Sequence, residues 1–425
     1  MSFQSTHFYK LSPEERLEKV ASYSNLEEAD IQTLQGEQCL SLDQANHMIE
    51  NVIGTMKLPV GLGVHFLINS KEYIVPMAIE EPSVIAAASK MAKIASKHGG
   101  FFTGSTDPIM IAQIQLTKIS DPYGARMRLL LARDKILKMA NEQDPILTKL
   151  GGGALEWEVN VLDTDEGKMV ICHILVNCKD AMGANAVNNM AEALAPIVAE
   201  IAEGKSGLRI LSNLAVHRLA RAYAIFDKEE LGGENVVDGI VSAYHFAKSD
   251  PYRASTHNKG IMNGIIAVAN ATGQDTRALE AGAHSYAALH GHYTSLSTWE
   301  KNKDGNLVGT LEMPMAVGIV GGATKSHPTV RTNLKILGIK SANELAEVMV
   351  AVGLSQNAGA LRALANEGIQ KGHMSLHARN LAVMAGAPMS LVDTVVERLK
   401  LSGTIRLDKA QAILAELLET EQPQQ

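Results

Sequence analysis

The spacing of hydrophobic and polar residues changes period repeatedly along this chain, most sharply between Pro108 and Ser212. Residues 109–118 (IMIAQIQLTK) read as a strand, and 125–142 (ARMRLLLARDKILKMANE) as an amphipathic helix with apolar positions three and four apart. Leu155, Trp157, Val159 and Val161 alternate strictly, Asp163 to Gly167 supplies a turn, and 169–176 (MVICHILV) is a second apolar strand; the pair reads as a hairpin. A long helix from about 181 to 203 and a short strand at 208–211 (LRIL) complete the order β-α-β-β-α-β. That order is the split, ferredoxin-like arrangement.

Around this unit the helical period dominates. Helical stretches are predicted near 215–223, 235–248, 258–271, 275–290 and 342–367, with strand-like runs near 293–299 and 307–319. The predicted fold class is α+β. A large, mainly helical domain is expected from 1–107 and 213–374, with the ferredoxin-like unit at 108–212 inserted into it. A helical segment at 375–425 follows, punctuated by Gly386, Pro388 and Gly403, and is the natural candidate for a mobile lid. A length of 425 residues also calls for more than one core.

Composition narrows the function classes. With 39 basic against 46 acidic residues the formal net charge is -7, which argues against a general nucleic-acid binder. An anionic ligand must then be met by local positive groups. Cys39, Cys172 and Cys178 follow no metal or redox spacing and fit free thiols in a reducing compartment. The start of the chain, MSFQSTHFYKLSPEER, has no basic segment followed by an apolar run, and no uninterrupted apolar stretch reaches membrane-span length. A cytoplasmic protein with no membrane partner is expected.

Four constellations carry candidate chemistry. Asp180-Ala-Met182-Gly183-Ala-Asn185 opens a helix directly after an apolar strand, where free N–H groups and the helix dipole suit a pyrophosphate; Asp180 as a plain N-cap with Gly183 as a packing residue is the alternative. No GxGxxG follows a strand, so a Rossmann domain is not expected. Lys259 and Asn263, in THNKGIMN, share one face of a helix starting near Asn258, and Asp275 in ATGQD is placed to hold the lysine charged; a solvated surface lysine is the bland reading. Glu81, in Glu80-Glu81-Pro82-Ser83, sits at a helix entry with Pro82 at the first helical position, suited either to proton exchange or to capping. His373 and His377, in GHMSLH, invite zinc, but Met374 stands where HExxH needs its glutamate and no third ligand is evident. No metal is expected, and His373 fits a proton donor on a mobile segment.

Taken in order, ENVIG at 50–54, PVGLG at 59–63, EEPSVIAAAS at 80–89, DAMGAN at 180–185, SNLA at 212–215, THNKGIMNG at 256–264, ATGQD at 271–275, GTLEMP at 309–314, VGGATKSHP at 320–328, LSQNAGA at 354–360 and GHMSLHARN at 372–380 resemble the hydroxymethylglutaryl-coenzyme A reductase family. The resemblance covers nearly the whole chain, and EEPSVIAAAS and DAMGANAVN resemble its bacterial, class II form. It implies Glu81, Lys259, Asp275 and His373 as the catalytic set. It further implies Ser83, Arg253, Asn263, Gln356 and Asn357 as contacts for the hydroxymethylglutaryl part, and Asp180, Met182, Gly183, Asn185 and Asn213 as contacts for NADPH or NADH. The reaction implied is the reduction of a coenzyme A thioester to mevalonate and free coenzyme A in two hydride steps; reduction of another acyl-coenzyme A is the alternative. The family's sites are built across a homodimer interface involving ENVIG, and where the family can carry an N-terminal arginine for the coenzyme A phosphates this chain offers Lys10 or Arg16.

Overall fold

The protein is described here by a computed structural model over residues 8–366 and 378–421. Three short helices, α1 (Pro13–Ser24), α2 (Glu28–Gln35) and α3 (Leu42–Asn46), lead to a hairpin of β1 (Val60–Ile68) and β2 (Lys71–Ala78). The hairpin turns through Asn69 and Ser70, at φ 47° and 66°. Two successive left-handed residues are what a two-residue turn needs to match the twist of its strands. Helix α4 (Val84–Ser96) and strand β3 (Phe101–Ser105) follow.

The chain then builds a second sheet from β4 (Ile109–Thr117), β5 (Gly153–Thr164), β6 (Gly167–Asn177) and β7 (Lys205–Ser212) in the spatial order β5-β6-β4-β7, every neighbour antiparallel. Helices α5 (Pro122–Leu131), α6 (Arg133–Glu142) and α7 (Pro145–Lys149) connect β4 to β5, and α8 (Ala184–Ala202) connects β6 to β7. This is the predicted ferredoxin-like order. The single helix expected over 125–142 is in fact two, broken at Ala132. Periodicity could not show the break, because the buried positions Ala125, Leu129, Ile136 and Ala140 run through it in register.

Returning, the chain forms β8 (Leu219–Phe226), α9 (Lys228–Leu231), α10 (Glu234–Ser249), α11 (Pro251–Ala271), α12 (Thr276–Ala287), β9 (Ser297–Lys301), β10 (Leu307–Pro314), α13 (Ala323–Ser326), α14 (Pro328–Leu337) and α15 (Ala342–Asn366). Strands from both parts of this outer region make a six-stranded sheet, β2-β1-β3-β8-β10-β9. The helix expected over 215–223 is therefore corrected to strand β8. Its core face is Ala220, Ala222 and Ala224, residues whose helical propensity hides their alternation. They are small because α15 packs directly on that strand.

An aromatic row crosses the sheet. Phe66 stacks on Phe101 with ring centroids 5.8 Å apart, Phe101 meets Phe226 edge-on at 6.3 Å, and Phe226 meets Trp299 at 5.7 Å. Trp299 reaches across β10 because its partner there is Gly309; a Cβ on that glycine would lie 2.4 Å from the indole. Helices α11 and α15 cross on the same side of the sheet at Gly264 and Gly353, where added Cβ atoms would fall 2.9 Å from Gln356 and Ile265. Helix α15 is long and apolar enough over Ala342–Ala365 to cross a membrane, yet 67% of its most apolar window is buried inside the protein. That makes it a core helix, apolar on most sides because it is surrounded.

The two crossings between the sheets lie side by side, with Thr106 N donating to Leu219 O and Leu219 N to Thr106 Oγ1, both at 2.9 Å. Beyond the outer region, α16 (described over 378–384), α17 (Met389–Leu401) and α18 (Leu407–Glu421) enclose a core of their own around Val392, Val395, Leu399 and Ile413.

Candidate active site

The acidic joint between β2 and α4 is shaped differently from its expectation. Pro82 does not open the helix; α4 starts at Val84, and its N-cap Ser83 has φ 78° and ψ -21°. A serine in the left-handed region costs roughly 1–2 kcal/mol, so the bend is held by its surroundings. Glu81 is thereby carried on a turn outside the helix, where it lines a cleft of about 1430 Å³ together with Ser83.

Helix α11 starts earlier than predicted, because Asp250 caps it by accepting from Arg253 N at 2.7 Å and Pro251 fills the first turn. Lys259 is consequently a mid-helix residue, still one turn from Asn263. Lys259 Nζ lies 2.9 Å from Glu81 Oε2, and Asn263 Nδ2 donates to the same oxygen at 3.3 Å. A lysine, an acid and an amide from two elements far apart in sequence thus converge on one point. The lysine side chain is 61% exposed and the acid 34%; a pair so open contributes at most about 1 kcal/mol to folding, so the convergence is not explained by stability.

The expectation that Asp275 holds Lys259 needs correction: among the described residues it is Glu81 that pairs with the lysine. The Asp275 carboxylate is committed to capping α12, Oδ1 accepting from Arg277 N at 3.1 Å and Ala278 N at 3.0 Å. The residue before it is built in firmly. Gln274 Nε2 donates to Gly318 O and Thr272 O, both at 2.9 Å, and its Oε1 accepts from Gly318 N at 2.8 Å.

That glycine leads to the third constellation. Between β6 and α8, the loop through Asp180 and Met182 ends at Gly183, the N-cap of α8, at φ 104°. The suggestion that Asp180 is this helix's N-cap is therefore corrected. Its Oδ1 instead accepts from Ala342 N at 2.8 Å, at the start of α15, and its carbonyl accepts from Ile319 N at 2.9 Å. Gly183 has an internal reason for its identity, since a Cβ there would sit 2.4 Å from Cys178 Sγ. No side chain caps α8, so its first N–H groups and the positive end of its dipole are left for an anion. Asn185 is exposed in that turn, Met182 is half-buried, and Asn213 lies just past β7, whose Leu211 N donates to Asn188 Oδ1 of α8 at 2.8 Å. These residues fit a dinucleotide phosphate.

Comparison with known proteins decides among the chemistries such a site permits. The pattern defining the family described as hydroxymethylglutaryl-coenzyme A reductase matches residues 12–378. The chain belongs to the hydroxymethylglutaryl-coenzyme A reductase family. It is 57% identical over 417 residues to the 3-hydroxy-3-methylglutaryl-coenzyme A reductase of Archaeoglobus fulgidus, covering 98% of this chain and 95% of that protein. A probable reductase of the same name from Borreliella burgdorferi is 34% identical over 370 residues, covering 84% and 82%. A solved structure of the class II enzyme from Streptococcus pneumoniae, bound to NADPH in open conformations, matches with a TM-score of 0.81 and 40% identity over 96% of this chain and 100% of that one. A second structure of the Streptococcus pneumoniae reductase gives 0.83 and 40% over 96% and 99%. The class II form of the family is the one this enzyme matches, and it is an oxidoreductase of that kind.

The remaining expected residues are distributed around this frame. Arg253 is half-buried at the start of α11; burial lowers its pKa below the usual arginine value, and no carboxylate among the described residues pairs with it. Asn357 is buried, with Oδ1 accepting from Ser297 Oγ and Trp299 Nε1, both at 2.8 Å, which fixes its amide and keeps the NH2 as the group on offer. Its neighbour Gln356 is buried with Oε1 unpartnered among the described residues. His373 lies outside the described residues. Arg16 is committed to holding the N-terminal turn, donating to Phe8 O at 3.3 Å and Tyr9 O at 2.9 Å, whereas among the described residues Lys10 meets the Tyr9 ring at 6.0 Å and no carboxylate.

Sequence reasoning missed two residues that the structure makes central. Gln274 was passed over beside Asp275, although a glutamine in a loop between two helices has backbone groups to satisfy. Arg218, a few residues beyond SNLA, gave no signal at all. It is 4% exposed, and arginine is seldom buried without a paired acid.

Proposed function

We propose that this chain reduces hydroxymethylglutaryl-coenzyme A to mevalonate and free coenzyme A, using two molecules of reduced nicotinamide cofactor, with NADPH or NADH held on the DAMGAN loop and no metal. The observation that carries the reading is the meeting of Lys259 and Asn263 on Glu81, which itself lines the large cleft; the same helix carries, nearer its start, an arginine that has no acid of its own among the described residues. The bound cofactor supplies the hydrides, and the protein's own groups manage charge and protons. Lys259, held by Glu81 and Asn263, meets the negative charge that develops on the carbonyl oxygen as the thioester and then the aldehyde are reduced. Glu81 exchanges protons at that oxygen. Asp275 is assigned to the catalytic set from the head of α12, without a direct link to Lys259, and Gln356, Asn357 and Ser83 to positioning of the acyl part.

Arg253 is assigned to the distal carboxylate, which a thioester of a simple acid lacks. Replacing Arg253 by methionine should raise KM for hydroxymethylglutaryl-coenzyme A by roughly ten- to hundredfold, the effect of one lost charge-assisted pair, and change kcat far less. An acyl-coenzyme A without a second carboxylate, if reduced at all, should be indifferent to the change. A variant with unaltered KM would favour reduction of a different acyl-coenzyme A.

His373 is assigned to protonation of the departing coenzyme A thiolate. His373→Gln should therefore cripple thioester reduction and largely spare reduction of free mevaldehyde, which releases no thiolate. Equal losses on both substrates would remove histidine from that role. The two hydride steps require cofactor exchange within one turnover, and the separately cored helices α16–α18 following His373 form the proposed flap over residues 375–425. Residues 1–107 and 213–374 make up the proposed substrate domain, and 108–212 the proposed dinucleotide domain.

A homodimer with shared sites is proposed as well. Ile53 of ENVIG is 99% exposed and Met56 is 85% exposed, a run of bare apolar side chains that a second copy would cover. A cytoplasmic location accompanies this reading.

A further inference from the structure

Arg218 is almost wholly buried, and its solvation comes from three peptide carbonyls. Nη1 donates to Ala181 O at 3.1 Å and Met182 O at 2.8 Å, and Nη2 donates to Val317 O at 2.5 Å. No carboxylate among the described residues pairs with it, and burial brings its pKa down to about 10, which still leaves it protonated at neutral pH. A buried cation without an ion-pair partner costs folding free energy that an apolar residue of the same volume would not. Its retention calls for a role that an apolar residue cannot fill.

The two carbonyls it grips on one side belong to the loop that leads into Gly183 and α8. The third belongs to the segment after β10. A trans peptide points its C=O and N–H in opposite directions. Drawing the Met182 carbonyl toward the guanidinium therefore turns the Gly183 N–H away from it. The loop also rests on Gly318, the residue after Val317, where a Cβ would lie 2.4 Å from Met182 N and 2.9 Å from Ala181 C. Ala181 also makes a parallel bridge to Val320, and Asp180 accepts from Ala342 at the head of α15. Every one of these anchors comes from outside the second sheet, so the loop is seated by the outer region that carries Lys259 and Glu81.

We propose that Arg218 is the positioning residue of the dinucleotide loop: by bonding both the loop and the Val317–Gly318 segment packed on it, Arg218 holds the loop with its N–H groups presented, and the buried charge adds to the positive end of α8. The inference rests on the reading that this loop receives the cofactor phosphates. Arg218 is buried with its guanidinium committed to backbone carbonyls, so its effect belongs to cofactor affinity and not to the chemistry at the carbonyl.

The test titrates NADPH into the intact enzyme and three variants, following nicotinamide fluorescence, with a parallel titration of free coenzyme A. Arg218→Met should weaken NADPH by roughly ten- to hundredfold, as expected for loss of hydrogen bonds to a charged group, and leave coenzyme A binding within about twofold. Arg218→Lys, which keeps the charge and can still reach carbonyls, should recover much of the affinity. Gly318→Ala, whose Cβ would push on Met182 N and Ala181 C, should reproduce the selective NADPH loss. If Arg218→Met fails to fold, the lysine and Gly318 variants decide. Folded variants with unchanged NADPH affinity, or with equal losses for both ligands, overturn the proposal. A wild-type enzyme that binds coenzyme A but no NADPH would instead overturn the cofactor reading on which it rests.

Discussion

Lys259→Ala should lower kcat for thioester reduction by roughly two to three powers of ten and leave a folded enzyme. The magnitude is that of removing one preorganised donor from a developing oxyanion, about 3–4 kcal/mol. Survival of the fold follows from where the lysine sits. Its side chain is largely solvent-exposed, its salt link to Glu81 is open to water, and Asn263 still donates to Glu81 when it is gone. NADPH affinity should be unchanged, because the dinucleotide loop is anchored through Arg218, Gly318 and Ala342 and not through α11. Steady-state kinetics, a thermal melt and an NADPH titration on one preparation check all three parts. Activity within tenfold of wild type would remove Lys259 from the oxyanion role.

Glu81→Gln should also cost roughly two to four powers of ten in kcat, the range for loss of a positioned acid–base group. Glutamine keeps an oxygen where Oε2 accepts from Lys259 and Asn263, so the local geometry is nearly preserved. What disappears is the charge and the exchangeable proton. KM for hydroxymethylglutaryl-coenzyme A should therefore move by no more than about threefold. If KM rises steeply while kcat holds, Glu81 is a binding group and proton exchange must be sought elsewhere. The left-handed Ser83 next to it would then serve substrate fit and not proton transfer.

The inserted sheet was legible because its strands alternate on one buried face and its hairpin has a polar turn between apolar runs, signals carried by local sequence. The outer sheet was largely hidden. Strand β8 presents alanines to α15, and alanine in alternation cannot be told from alanine in a helix by propensity. The ends of α4 and α11 were misjudged by reading Pro82 and Asn258 as helix starts, when Ser83 and Asp250 are the caps. At the site, Lys259 and Asn263 were placed together by their helical spacing, and that spacing survived the shifted helix start. Their partner was named wrongly, because a carboxylate near in sequence, Asp275, was preferred to one 178 positions away, Glu81. The spacing rule works within a helix; which strand joint faces that helix is fixed by tertiary packing. Arg218 was invisible for the same reason, its partners being backbone carbonyls contributed by two distant segments.

The most direct test of the central claim, that Lys259 and Glu81 serve a double reduction at one carbon, is a stoichiometry. Hydroxymethylglutaryl-coenzyme A is added to the enzyme with excess NADPH, and cofactor absorbance and free thiol are followed together to completion. The account predicts two equivalents of NADPH oxidised for each thiol released, with mevalonate as the product. Oxidation of one equivalent with aldehyde accumulating, or thiol release without NADPH oxidation, would contradict it.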